Sequence, residues 1–176
     1  MGAARLNLEL KARDTDPERS LATCKNLGAE DHGILLQKDT YFHVTRGRLK
    51  LRRQNDGNAQ LIAYERPNLT GRRESHYRIV EVNDVSELEA ALAGVLDIAA
   101  VVKKTRRLFV FDGVRIHLDQ VEGLGRFIEF EGVASENGSL ARYEDLLSDL
   151  RKSFVIEDSD LLAESYCDLI LAAMQI

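Results

Sequence analysis

Hydrophobic and polar positions alternate strictly in several stretches of this chain. In residues 6–11, LNLELK, every second residue is leucine, so an extended strand places Leu6, Leu8 and Leu10 on one face and Asn7, Glu9 and Lys11 on the other. The same period recurs in RGRLKLRR (46–53), where Arg46, Arg48, Lys50 and Arg52 oppose Leu49 and Leu51. In VRIHLDQV (114–121), Arg115, His117 and Asp119 oppose Val114, Ile116 and Leu118, and in FIEFEG (127–132) Glu129 and Glu131 oppose Ile128 and Phe130. In VVKKTRRL (101–108), Lys104 and Arg106 share one face and Lys103, Thr105 and Arg107 the other. Period-two stretches predict strands near 5–13, 39–44, 47–54, 60–66, 75–82, 102–111, 113–121 and 126–133. NDGN (55–58) and FDGV (111–114) carry the turn chemistry of tight hairpins. Eight strands joined mostly by short turns point to an antiparallel sheet that closes into a barrel.

Helical periodicity appears in four places. Asp16 or Thr15 can cap a helix over 16–28, with Pro17 in its first turn and Gly28 at its end. A second runs from 84–86 to Gly94, where Ser86 and Glu89 have capping-box spacing. Two more are predicted over 139–152 and 159–173. No proline-rich linker or repeat divides the chain, and 176 residues suit a single domain spanning 1–176.

The composition, 44% hydrophobic and 30% charged, is that of a folded chain and not a disordered one. No stretch approaches the roughly 20 apolar residues of a membrane span, and the first residues lack the apolar core of a signal peptide. Cys24 and Cys167 have neither metal-ligand nor disulfide-framework spacing. A reducing, cytoplasmic location without membrane attachment is the expectation. The net charge of −5 argues against general nucleic-acid binding, yet positive charge collects in 45–53, 66–78 and 103–107.

One solvated face is ordinary for an antiparallel sheet. Here, however, one strand aligns four cations and another aligns two carboxylates with no other polar group. Clustered cations suit a polyanion such as a triphosphate, whose oxygens accept bidentate bonds from guanidinium groups. Paired carboxylates suit a divalent cation that also binds phosphate oxygens. Other routes to nucleotide or metal chemistry are absent: EGLGR (122–126) lies between two strands and reads as a turn, there is no GxxxxGK[ST], and the four histidines lack zinc spacing. Ser75, Ser165 and Cys24 show no nucleophile–base arrangement.

Taken in order, these segments resemble the CYTH superfamily of triphosphate tunnel enzymes, in its class IV adenylate cyclase branch. LNLELKAR is similar to the family's Glu-x-Glu-x-Lys strand, QKDTYF (37–42) to its Lys-Asp-x-Tyr segment, and GRLKLRR to its Leu-Arg strand. VVKKTRRLF resembles the Lys-x-Arg strand, IHLDQVEGLGRFIEFE the acidic Gly-Leu-Gly hairpin, and ESYCDLI the closing Ser-Tyr helix. The resemblance implies a closed eight-stranded antiparallel β-barrel with a charged interior and surrounding helices. It implies that Glu9, Glu129 and Glu131 hold Mg²⁺ or Mn²⁺, and that Lys11, Lys50, Arg52, Lys104 and Arg106 bind phosphates. Lys11, Arg106 and Asp119 form the implied catalytic set, with Asp119 orienting a cation or binding a second metal. The implied reaction is conversion of ATP to cyclic AMP and pyrophosphate, with hydrolysis of tripolyphosphate, a nucleotide or thiamine triphosphate as the alternative; a non-catalytic binding module is the third reading. Homodimerisation is also implied. Two positions depart from the pattern. Asn7 replaces the first glutamate, and Glu65 stands where cyclase relatives carry a phosphate-binding lysine, with Arg66 expected on the opposite face and Arg48, Arg73 or Arg78 as substitutes.

Overall fold

The computed structural model describes residues 5–135 and 139–174. Eight strands form a closed barrel: β1 (Arg5–Arg13), β2 (Glu30–Phe42), β3 (Arg48–Gln54), β4 (Ala59–Glu65), β5 (Arg73–Glu81), β6 (Ile98–Phe111), β7 (Val114–Val121) and β8 (Gly125–Ser135). Around the barrel the order is β1-β5-β4-β3-β2-β6-β7-β8, and β8 closes antiparallel onto β1 through pairs such as Lys11 with Glu129. Four helices accompany it: α1 (Pro17–Asn26), α2 (Val85–Ala93), α3 (Ala141–Ser153) and α4 (Tyr166–Ala173).

The hairpin turns follow their sequence signals. Asp112 and Gly113, with φ of 46° and 78°, join β6 to β7 in the left-handed conformation that Asp-Gly tolerates. At the other hairpin Gln54 N–H donates to the Asn58 carbonyl at 2.9 Å, closing the turn over 55–58.

Two element boundaries and one helix cap depart most from expectation. β2 starts at Glu30, well before residue 39, because its first half is not a regular alternating strand: the register with β6 shifts between Asp31 and Ile34, and Gly33 sits at φ 84°. α2 is capped by Asp84, whose Oδ1 accepts from Glu87 N–H at 3.0 Å. Glu89, freed from the expected capping box, instead receives Lys38, Thr40 and Arg53. The predicted last helix divides into a 3-10 turn at Asp158–Asp160, a bridge of Leu161 to Ala12, and α4, which begins in a Ser165–Asp168 capping box.

The core lies on both sides of the barrel wall. Outside, Leu8 and Leu10 of β1 join Phe109, Ile116, Ile128 and Phe130 under Leu147, Leu150 and Phe154 at α3, and Cys24 of α1. Gly132 is required there, because a Cβ would overlap the Tyr143 ring. Inside, Tyr41, Ala100, Val102, Val121 and Phe127 pack with Tyr166 and Cys167 of α4. α4 therefore stoppers one end of the lumen with apolar side chains.

Candidate active site: a charged tunnel

The alternation seen in the sequence sorts each strand into a helix-covered face and a lumen face. Asn7, Glu9, Lys11, Lys50, Arg52, Lys104, Arg106, His117, Glu129 and Glu131 all line one cavity of about 570 Å³. Eight of its lining side chains are Lys or Arg and three are carboxylates, so it is strongly positive. Read along each strand from the stoppered end, the lumen is layered. On β6 the order is Val102, Lys104, Arg106, Leu108, Val110; on β2 it is Tyr41, Asp39, Gln37, Leu35. A charged middle layer thus separates the apolar stopper from an outer layer of mixed character.

Buried carboxylates hold the cations apart. Asp39, fully buried, accepts Arg52 at 2.7 Å through both nitrogens Nε and Nη2, Lys50 at 3.1 Å, and lies 3.6 Å from Lys104. Burial alone would raise its pKa, but Arg52, Lys50 and Lys104 together hold it well below the usual carboxylate range. Burial and the Arg52 charge depress Lys50 to about 8, and burial and Arg106 push Lys104 well below an ordinary lysine. Asp119 accepts Arg106 in a bidentate pair at 2.7 and 2.6 Å and the Tyr166 hydroxyl at 2.9 Å. Both Asp119 oxygens are engaged, which makes it a positioning group for Arg106. Tyr166 also places its ring 3.8 Å from Lys11 Nζ and 5.2 Å from Lys104 Nζ.

The acidic side of the lumen has its own order. Glu129 pairs with Lys11 at 2.9 Å, and Glu131 accepts Asn7 Nδ2 at 2.5 Å with Arg115 at 3.4 Å. Despite opposing burial, Lys11 and His117 lower Glu129 strongly, and His117 and Arg115 lower Glu131. His117 lies 3.7 Å from Glu129 and 4.0 Å from Glu131; these carboxylates favour its charged form, but burial and Arg106 outweigh them and lower its pKa. Glu9 is placed differently, because its Oε1 receives Arg66 Nη1 at 2.5 Å and Arg73 Nε at 2.8 Å.

Arg66 corrects the expected geometry. Gln60, Ile62, Tyr64 and Arg66 all line the lumen, so Arg66 continues the inward face of β4 just past the strand's end, while Glu65 falls on the outward face and pairs with Arg46 at 2.6 Å. Of the substitutes considered, Arg73 is buried in the lumen wall, Arg48 pairs with Asp168 of α4 at 3.0 Å, and Arg78 lies on the exposed face of β5. Asp39 and Tyr166 carry roles that the sequence reading did not assign. The inward spacing of Gln37, Asp39 and Tyr41 was the available signal for the first; the second comes from α4 folding back onto the lumen.

Among the described residues no three His, Cys, Asp or Glu side chains form a ready-made metal group. Mg²⁺ and Mn²⁺ chemistry does not require one, since one or two carboxylates suffice when phosphate oxygens and waters complete the shell. Glu129, Glu131 and the buried, unpartnered Asn7 Oδ1 supply such hard oxygen donors and fit this requirement.

The family model of the CYTH domain matches residues 5–166. The chain belongs to the CYTH family. A relative from Methanocaldococcus jannaschii, named "Putative adenylate cyclase", is 22% identical over 174 residues, covering 93% of this chain and 98% of that protein. The barrel is similar to the solved PH1012 protein of Pyrococcus horikoshii, at 25% identity and a TM-score of 0.81 over 93% of this chain and 98% of that one. It is also similar to an adenylyl cyclase homologue from Hippeastrum whose structure is reported with a dominant triphosphatase activity, at 17% identity and a TM-score of 0.66 over 97% of each chain. The closed barrel and its surrounding helices are thus the CYTH tunnel fold.

Proposed function

We propose that this CYTH protein is a divalent-metal-dependent enzyme acting on a triphosphate held in the tunnel. The observation that carries the reading is the lumen itself: a cavity stoppered at one end, in which Lys11, Lys50, Arg52, Lys104 and Arg106 converge while buried Asp39 and Asp119 set their positions. Fixed cations in a site of reduced dielectric stabilise charge that develops on phosphate oxygens at little reorganisation cost. Glu129 and Glu131, with the Asn7 amide oxygen, would hold Mg²⁺ or Mn²⁺, while Glu9, expected as a third metal ligand, has its Oε1 taken up by Arg66 and Arg73. The bound metal supplies neutralisation of phosphate charge and alignment of nucleophile and phosphorus. Lys11 and Arg106 would bind the phosphates, and Asp119, which takes Arg106 through Nε and Nη2, would hold the guanidinium so that Nη1 is left for them.

The leading reaction is cyclisation of ATP, in which the ribose 3′-hydroxyl oxygen bonds to the α-phosphorus as the bond to the β-phosphate oxygen breaks and pyrophosphate leaves. Hydrolysis, with water in place of that hydroxyl, is the second reading, favoured by the dominant triphosphatase activity reported for the Hippeastrum relative. Incubation with ATP, tripolyphosphate and thiamine triphosphate, each with Mg²⁺ and Mn²⁺, separates them by product. Cyclic AMP with pyrophosphate supports cyclisation, and inorganic phosphate supports hydrolysis. Binding without turnover leaves a ligand-binding module and refutes the enzymatic reading.

A further inference from the structure

Glu9 stands where two carboxylates face each other. In the sheet register it lies opposite Glu131 on β8 and opposite Arg73 on β5. Like charges directly opposite across a strand pair are destabilising, and a cation set between them is one remedy. This chain uses another. Asn7 Nδ2 donates to Glu131 Oε1 at 2.5 Å, while Glu9 turns to the β5 side, where its Oε1 accepts Arg73 Nε at 2.8 Å and Arg66 Nη1 at 2.5 Å. The side chains of Arg73, Arg66 and Glu9 are 0%, 3% and 11% exposed, so this is a buried ion group. A metal drawn to Glu9 would strip two buried guanidinium groups of their carboxylate, which costs far more than breaking a surface pair.

The same two arginines bracket a loop. Arg66 is the first residue after β4 and Arg73 the first of β5, so both ends of loop 66–72 are fastened to one carboxylate in the lumen wall. Arg73 Nη1 also donates to the Leu69 carbonyl within the loop at 3.0 Å and to the Leu162 carbonyl ahead of α4 at 2.7 Å. Leu162 N–H in turn donates to the Lys11 carbonyl at 2.9 Å. Glu9 is thus the root of a connected set that joins β1, the β4–β5 loop and the approach to the stopper helix.

We propose that Glu9 is the clasp of loop 66–72 and not a metal ligand, so that the tunnel takes a single divalent ion, at Glu129, Glu131 and Asn7. The single-ion half of this assignment rests on the metal-dependent reading of the tunnel. It departs from the role that the family resemblance implies for Glu9.

Mn²⁺ added alone, followed by the electron paramagnetic resonance of the free ion, should bind one site per chain, and Glu131→Gln should weaken it by about tenfold or more, as loss of a charged ligand does. The double variant Glu9→Gln/Arg66→Gln leaves the net charge of the lumen unchanged and should keep the Mn²⁺ dissociation constant within about threefold of wild type. Trypsin should cut the double variant after the exposed Arg72 about tenfold faster than the wild type, because the loop has lost its tie, and should cut Glu131→Gln at the wild-type rate. A further measurement needs no variant: saturating Mn²⁺ should leave cleavage of the wild type after Arg72 within about twofold, since the ion does not compete for the clasp. A second Mn²⁺ site, about tenfold weaker Mn²⁺ binding in the folded double variant, cleavage no faster in that variant, or cleavage of the wild type accelerated by Mn²⁺ each overturns the clasp while leaving the metal-dependent reading in place. Failure of the wild type to bind Mn²⁺ at all overturns that reading together with the single-ion assignment.

Discussion

Lys50→Met is expected to make the ligand-free protein more stable and the tunnel a poorer anion binder. Lys50 is charged at neutral pH in a lumen where burial and Arg52 bring its pKa down to about 8 from 10.5. A depressed lysine lets the unfolded chain bind more protons than the folded one between those two values, so its cost is full below pH 8 and is relieved as pH rises toward 10.5. At 1.36 kcal/mol per unit, keeping Lys50 charged at pH 7 costs about 3 kcal/mol. Asp39 is not orphaned by the change, because both Arg52 nitrogens remain on it at 2.7 Å. The stability advantage of the variant should shrink by about 2 kcal/mol between pH 7 and 9.5. Subtracting one protein from the other cancels the depressed Lys104 and the Cys24 and Cys167 thiols, which burial raises to about 12 and about 11. Tripolyphosphate affinity at pH 7 should fall about 10- to 100-fold, the loss of one charge-assisted bond. Urea unfolding at a series of pH values and calorimetric titration read both quantities. A variant that is less stable at pH 7, with a gap independent of pH, refutes the assignment of Lys50 as a strained cation awaiting an anion.

Asn7→Glu sets a third carboxylate against Glu131, now 2.5 Å from the amide nitrogen, and should destabilise the metal-free protein by about 1–3 kcal/mol while Mn²⁺ raises its melting temperature more than that of the wild type; an unchanged metal response places Asn7 away from the metal. Glu129→Gln removes the anion that competes for Lys11 at 2.9 Å, so tripolyphosphate titrated in EDTA should bind about tenfold more tightly, and the gain from added Mn²⁺ should diminish in the same titration. Tyr166→Phe loses the 2.9 Å bond to Asp119 but keeps the ring beneath Lys11, which predicts a stability loss of about 1 kcal/mol by urea unfolding. Gly132→Ala forces a methyl group into the Tyr143 ring and should cost about 1–3 kcal/mol in the same assay, with tripolyphosphate affinity retained.

The barrel was legible because its two faces obey one period. Once Leu8 and Leu10 face the helices, the pleat leaves Asn7, Glu9 and Lys11 in the lumen, and the same logic places Lys104 and Arg106 inside and Lys103 and Arg107 outside. Alternation fails as a guide where a strand bulges, as in the first half of β2 at Gly33. Arg66 obeys it, extending the inward series of Gln60, Ile62 and Tyr64, so it is Glu65 that does not take the lumen position the family pattern implies. What alternation cannot supply at all is pairing. Lys50, Arg52 and Lys104 come from two strands, β3 and β6, that flank β2, and only the closed register brings all three onto Asp39. Tyr166 reaches Asp119 across a sequence separation of 47 residues, by way of a helix whose sequence pattern reads simply as amphipathic. A row of like charges in one strand therefore announces a ligand of opposite charge, but the carboxylates that make the row tolerable are found only after the barrel has closed. That division also explains why Asn7 matters more than its neighbours: the period fixes its place in the lumen, while its bond to Glu131 rather than to a cation is set by β8, more than a hundred residues away.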